Sequence, residues 1–277
     1  MTSDRLERHL VVTQENVRAL DLLAEESGLS RQRLKMAMTA GAVWISRGGK
    51  TRRLRRATGQ LNSGDELHLY YDQEIVTAEV PEPGLVADEQ AYTVWDKPYG
   101  LYSQGSKWGD RSTVARWAEQ HLLPQRPAFI VHRLDRAAQG LILVAHSKKA
   151  VVSLTALFQQ RALEKIYRVI VCGKYSEHEQ TLTAELDGKH SVSHAKILDY
   201  SPDLNRSLLE VRIDTGRKHQ IRRHLSGAGF PVVGDRLYGN DGGLEDLQLR
   251  ATQLSFTCPL SGLPRDYHLP PARLLGL

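Results

Sequence analysis

Residues 17–26 (VRALDLLAEE) carry apolar side chains at helical spacing, and Ser27-Gly28 follows with residues suited to ending a helix. Ser30 can cap the start of a second helix through Arg31-Gln32-Arg33-Leu34-Lys35-Met36-Ala37-Met38, which Gly41 closes. Arg31 and Lys35, four apart, fall on one face of it. Residues 43–45 are a short apolar run, Arg47-Gly48-Gly49 a turn, and residues 65–71 (DELHLYY) alternate like a half-buried strand after an Asn62-Ser63-Gly64 turn. The pattern therefore predicts two helices followed by a small hairpin. Residues 73–89 (QEIVTAEVPEPGLVADE) are acidic and proline-containing, a linker composition. Beyond them come strand-like segments at 92–96, 141–145, 166–171, 194–198 and 207–213, interleaved with helical patterns in no regular βαβ order. One helix is expected over 148–160, where Val151, Leu154 and Phe158 make an apolar stripe for the core. Another is expected over 217–226, opened by Thr215 and ended by Gly227.

At 277 residues with 41% hydrophobic positions, the chain can fill one sizeable domain and a small one. The formal charge is only +5, so the distribution matters more than the total. Between Ser27 and Gly64 there is no acidic residue, while Arg31, Arg33, Lys35, Arg47, Lys50, Arg52, Arg53, Arg55 and Arg56 supply nine positive charges. That stretch is either a phosphate-binding face or a solvated charged surface. Cys172 and Cys258 sit in no paired spacing, which argues against a zinc site or a disulfide framework. The N-terminus lacks an apolar signal core, and no stretch approaches the roughly 20 apolar residues that span a bilayer. A soluble cytoplasmic protein with no membrane partner is expected.

The densest polar cluster in an apolar setting is Val131-His132-Arg133-Leu134-Asp135-Arg136, ahead of Gln139-Gly140 and LILVA. A charged loop feeding a buried strand can hold a reactive side chain rigid yet accessible. Asp135 reads equally as a nucleophile or as an acid in a surface ion pair. A second cluster runs Asp214-Thr215-Gly216-Arg217-Lys218-His219-Gln220-Ile221-Arg222-Arg223-His224-Leu225. On a helix it would set Ile221 and Leu225 on an apolar face and stack Lys218 with Arg222. An arginine reaching a carboxylate in a cleft keeps the acid ionised and oriented, as a carboxylate nucleophile requires. Tyr167, in a strand-like segment, would by default be a core aromatic.

Two resemblances add to these patterns. Residues 15–72, with the basic second helix and the Ser63-Gly64-Asp65 turn before the last strand, resemble the αL-type RNA-binding domain found in a ribosomal small-subunit protein. Asp96-Lys97-Pro98-Tyr99-Gly100-Leu101, then His132-Arg133-Leu134-Asp135 with Gly140-Leu141, then Lys165-Ile166-Tyr167, then residues 215–222 (TGRKHQIR) and 233–239 (VGDRLYG), resemble the ordered motifs of the RluA-type pseudouridine synthase family.

The second resemblance spans about residues 91–277. It implies an α+β fold, with a mixed, largely antiparallel central sheet and flanking helices and loops, preceded by the small α+β RNA-binding domain. The domains are then expected at 1–75 and 91–277, with a linker at 76–90. Asp135 would be the nucleophile. Arg133 would enter the RNA stack where the target nucleotide leaves it, Tyr167 would pack against the flipped uracil, and Arg222 would pair with the Asp135 carboxylate. Filling the vacated space and stacking the extruded ring offset part of an extrusion cost of a few kcal/mol.

The implied reaction breaks the N1–C1′ bond of uridine, turns the uracil and rejoins it through C5. It needs no redox step or group donor, and no cofactor or metal is expected. Attack at C1′ and attack at C6 both remain open. Arg31, Arg33, Lys35, Arg52, Arg53, Arg55, Arg56, Arg217 and Lys218 join Arg133 as candidate RNA contacts. Where the family usually has Thr-Ser before the motif glycine, this chain has Ala137-Ala138-Gln139, so two hydroxyls that could brace the loop are missing. His219 and His224 are expected to be structural or RNA-facing.

The expected partner is ribosomal RNA ahead of transfer RNA, for a monomer with no obligate protein partner. A non-catalytic RNA-binding or ribosome-assembly protein is the rival, and the Asp135, Tyr167 and Arg222 set speaks against it. An aspartate-dependent hydrolase would need a metal-binding carboxylate cluster or a water-activating base, and neither stands out.

Overall fold

The structure is a computed structural model that describes residues 5–239, 242 and 244–277. Two compact units divide it, one of residues up to Val80 with Gln104–Trp117, the other of Pro81–Ser103 with Ala118–Leu277.

The first unit runs β1 (Arg5–Val11), β2 (Val17–Arg18), α1 (Ala19–Ser27), α2 (Arg31–Ala40), β3 (Val43–Arg47), β4 (Lys50–Arg53), β5 (Gln60–Leu61), β6 (Glu66–Asp72) and α3 (Gln73–Thr77). The helix boundaries follow their caps. Gly28, at φ 68°, donates its N–H to the Ala24 carbonyl at the end of α1, and the Ser30 hydroxyl accepts from the Arg33 N–H at the start of α2. The larger sheet has the order β1-β6-β3-β4, all antiparallel. Leu23, Leu34, Met38, Ile45, Leu67 and Leu69 close the core between it and the helices.

β1 is not apparent from the residues. Only Leu6 and Leu10 of its seven side chains are partly buried, so it carries almost no amphipathic signal, and its pairing with β6 is sixty residues away in sequence. The segment Gln104–Trp117 completes this unit: Arg53 and Arg55 both reach Asp110, at 3.0 and 2.5 Å, and the Trp44 indole donates to the Lys107 carbonyl at 3.0 Å.

The second unit contains β7 (Gly84–Asp88) and β8 (Tyr92–Lys97), then α4 (Val114–His121), which starts in the inserted segment. It continues through β9 (Phe129–Ile130), β10 (Gln139–Ala145), α5 (Lys148–Gln160), β11 (Leu163–Cys172), β12 (Gln180–Leu186), β13 (Lys189–Ser201), β14 (Arg206–Ile213), α6 (Gln220–Gly227), β15 (Leu249–Thr257) and β16 (Pro264–His268). The sheet order is β12-β13-β14-β11-β15-β10-β8-β7, with β16 on β15 and β9 on β10. Only β10–β15 is parallel, so the sheet is mixed and largely antiparallel. β10 is covered on both faces, which explains its unbroken apolar run. Ser147 caps α5, and Ala150, Leu154 and Leu157 pack it on Leu141 and Leu143.

Two expectations need correction. The segment expected as a linker is partly ordered, since α3 and β7 both fall in it and β7 joins the sheet edge against β8. The helix expected over 217–226 is α6, beginning at Gln220. Thr215 does not cap it: its hydroxyl donates to Gln220 Oε1 at 2.6 Å and accepts from the Val192 N–H at 3.1 Å. Gln220 Oε1 also accepts from the Arg217 N–H, so residues 215–219 form a loop pinned by one amide, and His219 takes a left-handed φ of 54°. Lys218 therefore precedes the helix and is not stacked one turn before Arg222. Among the described residues no helix is long and apolar enough to cross a membrane.

Candidate active site

The loop between β9 and β10 carries Asp135 and is tied down along its length. His132 Nε2 accepts from the Leu143 N–H at 2.9 Å while its ring stacks on Phe158, with centroids 4.3 Å apart. Burial, and after it the Lys165 charge, pushes His132 down to about 3, so it sits neutral in the core. The Ser103 hydroxyl donates to the Leu134 carbonyl at 2.7 Å and accepts from the Leu134 N–H at 3.0 Å, clamping both backbone groups just before Asp135. The Arg136 carbonyl accepts from Lys97 Nζ at 3.2 Å and from the Gly100 N–H at 3.0 Å. Finally, the Ala138 N–H donates to the Asp135 carbonyl at 3.2 Å.

These bonds do what the missing hydroxyls of Ala137-Ala138-Gln139 could have done, and most come from a different segment. Gln139 contributes instead by accepting from Arg250 Nη1 at 3.1 Å, while Arg250 grips Asp96 at 2.9 and 2.7 Å. Gly140 follows at φ 103°, where any Cβ would run into the Ala251 backbone. Only glycine permits this approach of β10 to β15.

Lys97 is fully buried and donates to the carbonyls of Leu101, Pro98 and Arg136 at 2.8, 3.0 and 3.2 Å. Burial pushes its ammonium down to about 7, against the pull of Asp135 and then Asp96. From about pH 7 up to the ordinary lysine range, the unfolded chain binds a proton that folded Lys97 has released. Stability therefore rises with pH across that window through this residue. In thermal melts at a series of pH values, Lys97→Met is expected to remove this rise, so that wild type gains on the variant as pH increases. Parallel curves would mean that Lys97 keeps its proton throughout.

Arg222, on α6, joins two acids. Its Nη1 donates to Asp135 Oδ2 at 3.1 Å, while Nε and Nη2 grip Asp235 at 2.8 and 2.6 Å. Asp235 is inaccessible and also accepts from the N–H groups of Leu237 and Tyr238 at 2.9 and 3.1 Å. Burial works to raise its pKa, but Arg222 and those N–H groups outweigh it and hold the carboxyl below the usual range. Burial likewise opposes the Arg222 charge, and its two acids reverse that. Asp235 therefore anchors one side of a planar guanidinium and leaves the other for Asp135.

The Asp135 side chain keeps 25% of its surface open, so it is oriented yet reachable. His219 Nε2 lies 3.8 Å from its other oxygen, with Nδ1 3.0 Å from the Tyr238 hydroxyl. Tyr167 is buried on β11, and burial together with the Asp135 charge pushes its phenol up, keeping it protonated. Arg222 and His219 thus border the Asp135 carboxylate, and Tyr167 lies within reach of its charge.

Sequence reasoning gives Asp235 no role, although an acid inside an apolar Val-Gly-Asp turn is a signal that could have found it. Ser103 carries no such signal, because an isolated serine says nothing about a residue thirty positions on. His224 is structural, between the Ser191 and Ser193 hydroxyls at 2.8 and 3.0 Å. Arg133 and Lys218 are exposed, and Arg217 Nε donates to the His190 carbonyl at 3.4 Å. In the first unit Arg31, Arg33, Lys35, Arg52 and Arg56 reach solvent, with Arg31 paired to Asp21 at 2.9 Å. Arg53 and Arg55 are half-buried and bind inward, to Asp110 and to the carbonyls of Gly41, Ser106 and Thr39.

Residues 91–227 match the family described as RNA pseudouridylate synthase. A ribosomal large subunit pseudouridine synthase D of Neisseria meningitidis is 30% identical over 275 residues, covering 87% of this chain and 72% of the relative. An uncharacterized RNA pseudouridine synthase of Chloroflexus aurantiacus is 33% identical over 197 residues, covering 63% of this chain and 61% of the relative. The solved structure of human RNA pseudouridylate synthase domain containing 1 shares the fold at a TM-score of 0.60 and 22% identity, covering 71% of this chain and 86% of that one.

Proposed function

Because the chain belongs to the RNA pseudouridylate synthase family, we propose that it isomerises uridines in large-subunit ribosomal RNA, with Asp135 as the nucleophile. One observation carries the assignment of Asp135: a partly open carboxylate ion-paired to a buried, doubly anchored Arg222. An acid so paired is fixed in direction, which attack on C1′ or C6 both require. The N1–C1′ bond then breaks, the uracil turns against Tyr167, C5 bonds to C1′, the bond to Asp135 breaks and restores its carboxylate, the C5 hydrogen leaves as a proton and N1 takes one up. Arg133, exposed beside Asp135 in sequence, is suited to entering the stack that the extruded nucleotide vacates.

Ribosomal RNA is favoured over transfer RNA because relatives bear the name ribosomal large subunit pseudouridine synthase D. The protein would act in the cytoplasm as a monomer, in keeping with two cysteines that share no disulfide. The test is release of tritium from C5-labelled uracil in unmodified large-subunit ribosomal RNA and in transfer RNA. Release from transfer RNA alone would reassign the target, and release from neither would end the proposal.

The first unit would serve as the RNA-binding module through its exposed cations, while Arg53 and Arg55 hold it together. Replacing Arg52 and Arg56 with Gln is expected to lower the slope of log affinity against log salt by about 0.7 to 0.9 for each phosphate that is no longer neutralised. An unchanged slope would make this run a solvated surface.

A further inference from the structure

Lys165 stands on β11 two residues before Tyr167, and alternation along a strand sends both side chains to one face. The irregularity in the β11–β15 pairing leaves the extra residue, Thr252, on β15, and β11 pairs with β14 in unbroken register, so the alternation of β11 holds. Lys165 is only 7% exposed. Among the described residues its ammonium has no hydrogen-bond acceptor and no ion-pair partner.

The neighbouring acid that draws on its charge is Asp214, and both oxygens of that acid are taken. Oδ1 accepts from Arg212 Nη1 at 2.9 Å, and Oδ2 lies 2.9 Å from His194 Nε2. On another side the ammonium faces Gly216, where even a Cβ would lie 4.0 Å from Nζ. A cation without a protein partner thus stands at the Thr215-Gly216-Arg217 loop that leads into α6 and Arg222. Burial accordingly lowers the Lys165 pKa, outweighing Asp214. Contrast Lys97, which is fully buried and whose Nζ meets three carbonyls. A buried charge with no partner is costly to a fold and is kept where a ligand supplies the counter-charge.

We propose that Lys165 is an RNA phosphate site: its ammonium takes the phosphate of the extruded nucleotide whose base packs against Tyr167. This rests on the isomerase assignment above. Lys165 would hold the backbone beside the site, while Tyr167 and Asp135 act on the base and sugar.

The experiment uses the full-length chain, wild type, Lys165→Met and Lys165→Arg, with an unmodified transcript of large-subunit ribosomal RNA labelled with tritium at uracil C5. Lys165→Met is expected to bind the transcript roughly 10-fold more weakly. Its salt slope should fall by about 0.7 to 0.9, the share of one phosphate. The rate at saturating RNA should stay within about twofold, since the ion pair binds the ground state and the transition state alike. Without RNA, its Tm should equal or exceed that of wild type, because a desolvated charge has been removed. Lys165→Arg should recover most of the affinity and the slope.

A Lys165→Met protein with wild-type affinity and slope would overturn the proposal, whether its Tm falls or not, and a lowered Tm would make Lys165 a strut of the Gly216 loop. A lowered saturating rate at unchanged affinity would overturn it too. Binding is read independently of turnover, so wild-type protein that binds the transcript but releases no tritium would sink the isomerase assignment by itself.

Discussion

Asp135→Asn is expected to reduce tritium release from C5 of uracil by at least about a thousandfold, while RNA affinity changes little. Asparagine fills the same space but offers no anionic oxygen to attack C1′ or C6. The loop around it should keep its shape, because its ties run through backbone groups of Leu134 and Arg136 and through Ser103 and Lys97, none of which involves the carboxylate. Arg222 also keeps its two-point grip on Asp235. The loss should therefore fall on the saturating rate, with an unchanged thermal melt as the control. Undiminished release from the variant would remove Asp135 from the chemistry.

The second large effect lies behind the first. Asp235→Asn is expected to destabilise the second unit by about 3 kcal/mol, the usual scale for breaking a buried ion pair by removing one partner. For a unit of this size that is a fall in Tm of about 6 to 12 °C. The amide nitrogen would meet a guanidinium that can only donate, and buried Arg222 would lose its two-point grip and keep only the single bond to the partly open Asp135. Acid titration separates this from a generic packing defect. Because Asp235 has a lowered folded pKa, its stabilisation is present above the unfolded carboxylate range and is lost as pH falls through the folded value. Wild type should thus lose stability on acidification that the variant never had. A variant as stable as wild type, with an unchanged acid limb, would show that Asp235 does not anchor Arg222.

Elements fixed by local rules were legible in the residues. The Val151, Leu154 and Phe158 stripe defines a helix by its period, and α5 spans Lys148–Gln160. Gly28 and Gly41 end helices wherever they stand, since both sit at positive φ. What escaped was set by partners distant in sequence. β1 gains its shape from β6, and Thr215 was diverted from capping α6 because Gln220 and Val192 compete for its hydroxyl. At the candidate site, ordered motifs named Asp135, Tyr167 and Arg222 but not the groups that hold them. A motif shows which residues recur together, whereas the Ser103 clamp and the three carbonyls on Lys97 exist only once the chain has turned back on itself.

Asp110 and Trp108 bear on how the first unit could be handled. Because residues 104–117 belong to that unit and are separated from the rest of it by strands β7 and β8, it is discontinuous in the chain. A fragment ending at residue 80 would carry α1, α2, α3 and the whole four-stranded sheet, yet lose the carboxylate shared by Arg53 and Arg55 and the carbonyl on the Trp44 indole. It would also uncover Arg5, whose guanidinium lies 3.7 Å from the centroid of Trp108. No single cut releases this unit whole, and grafting it onto another enzyme requires two junctions.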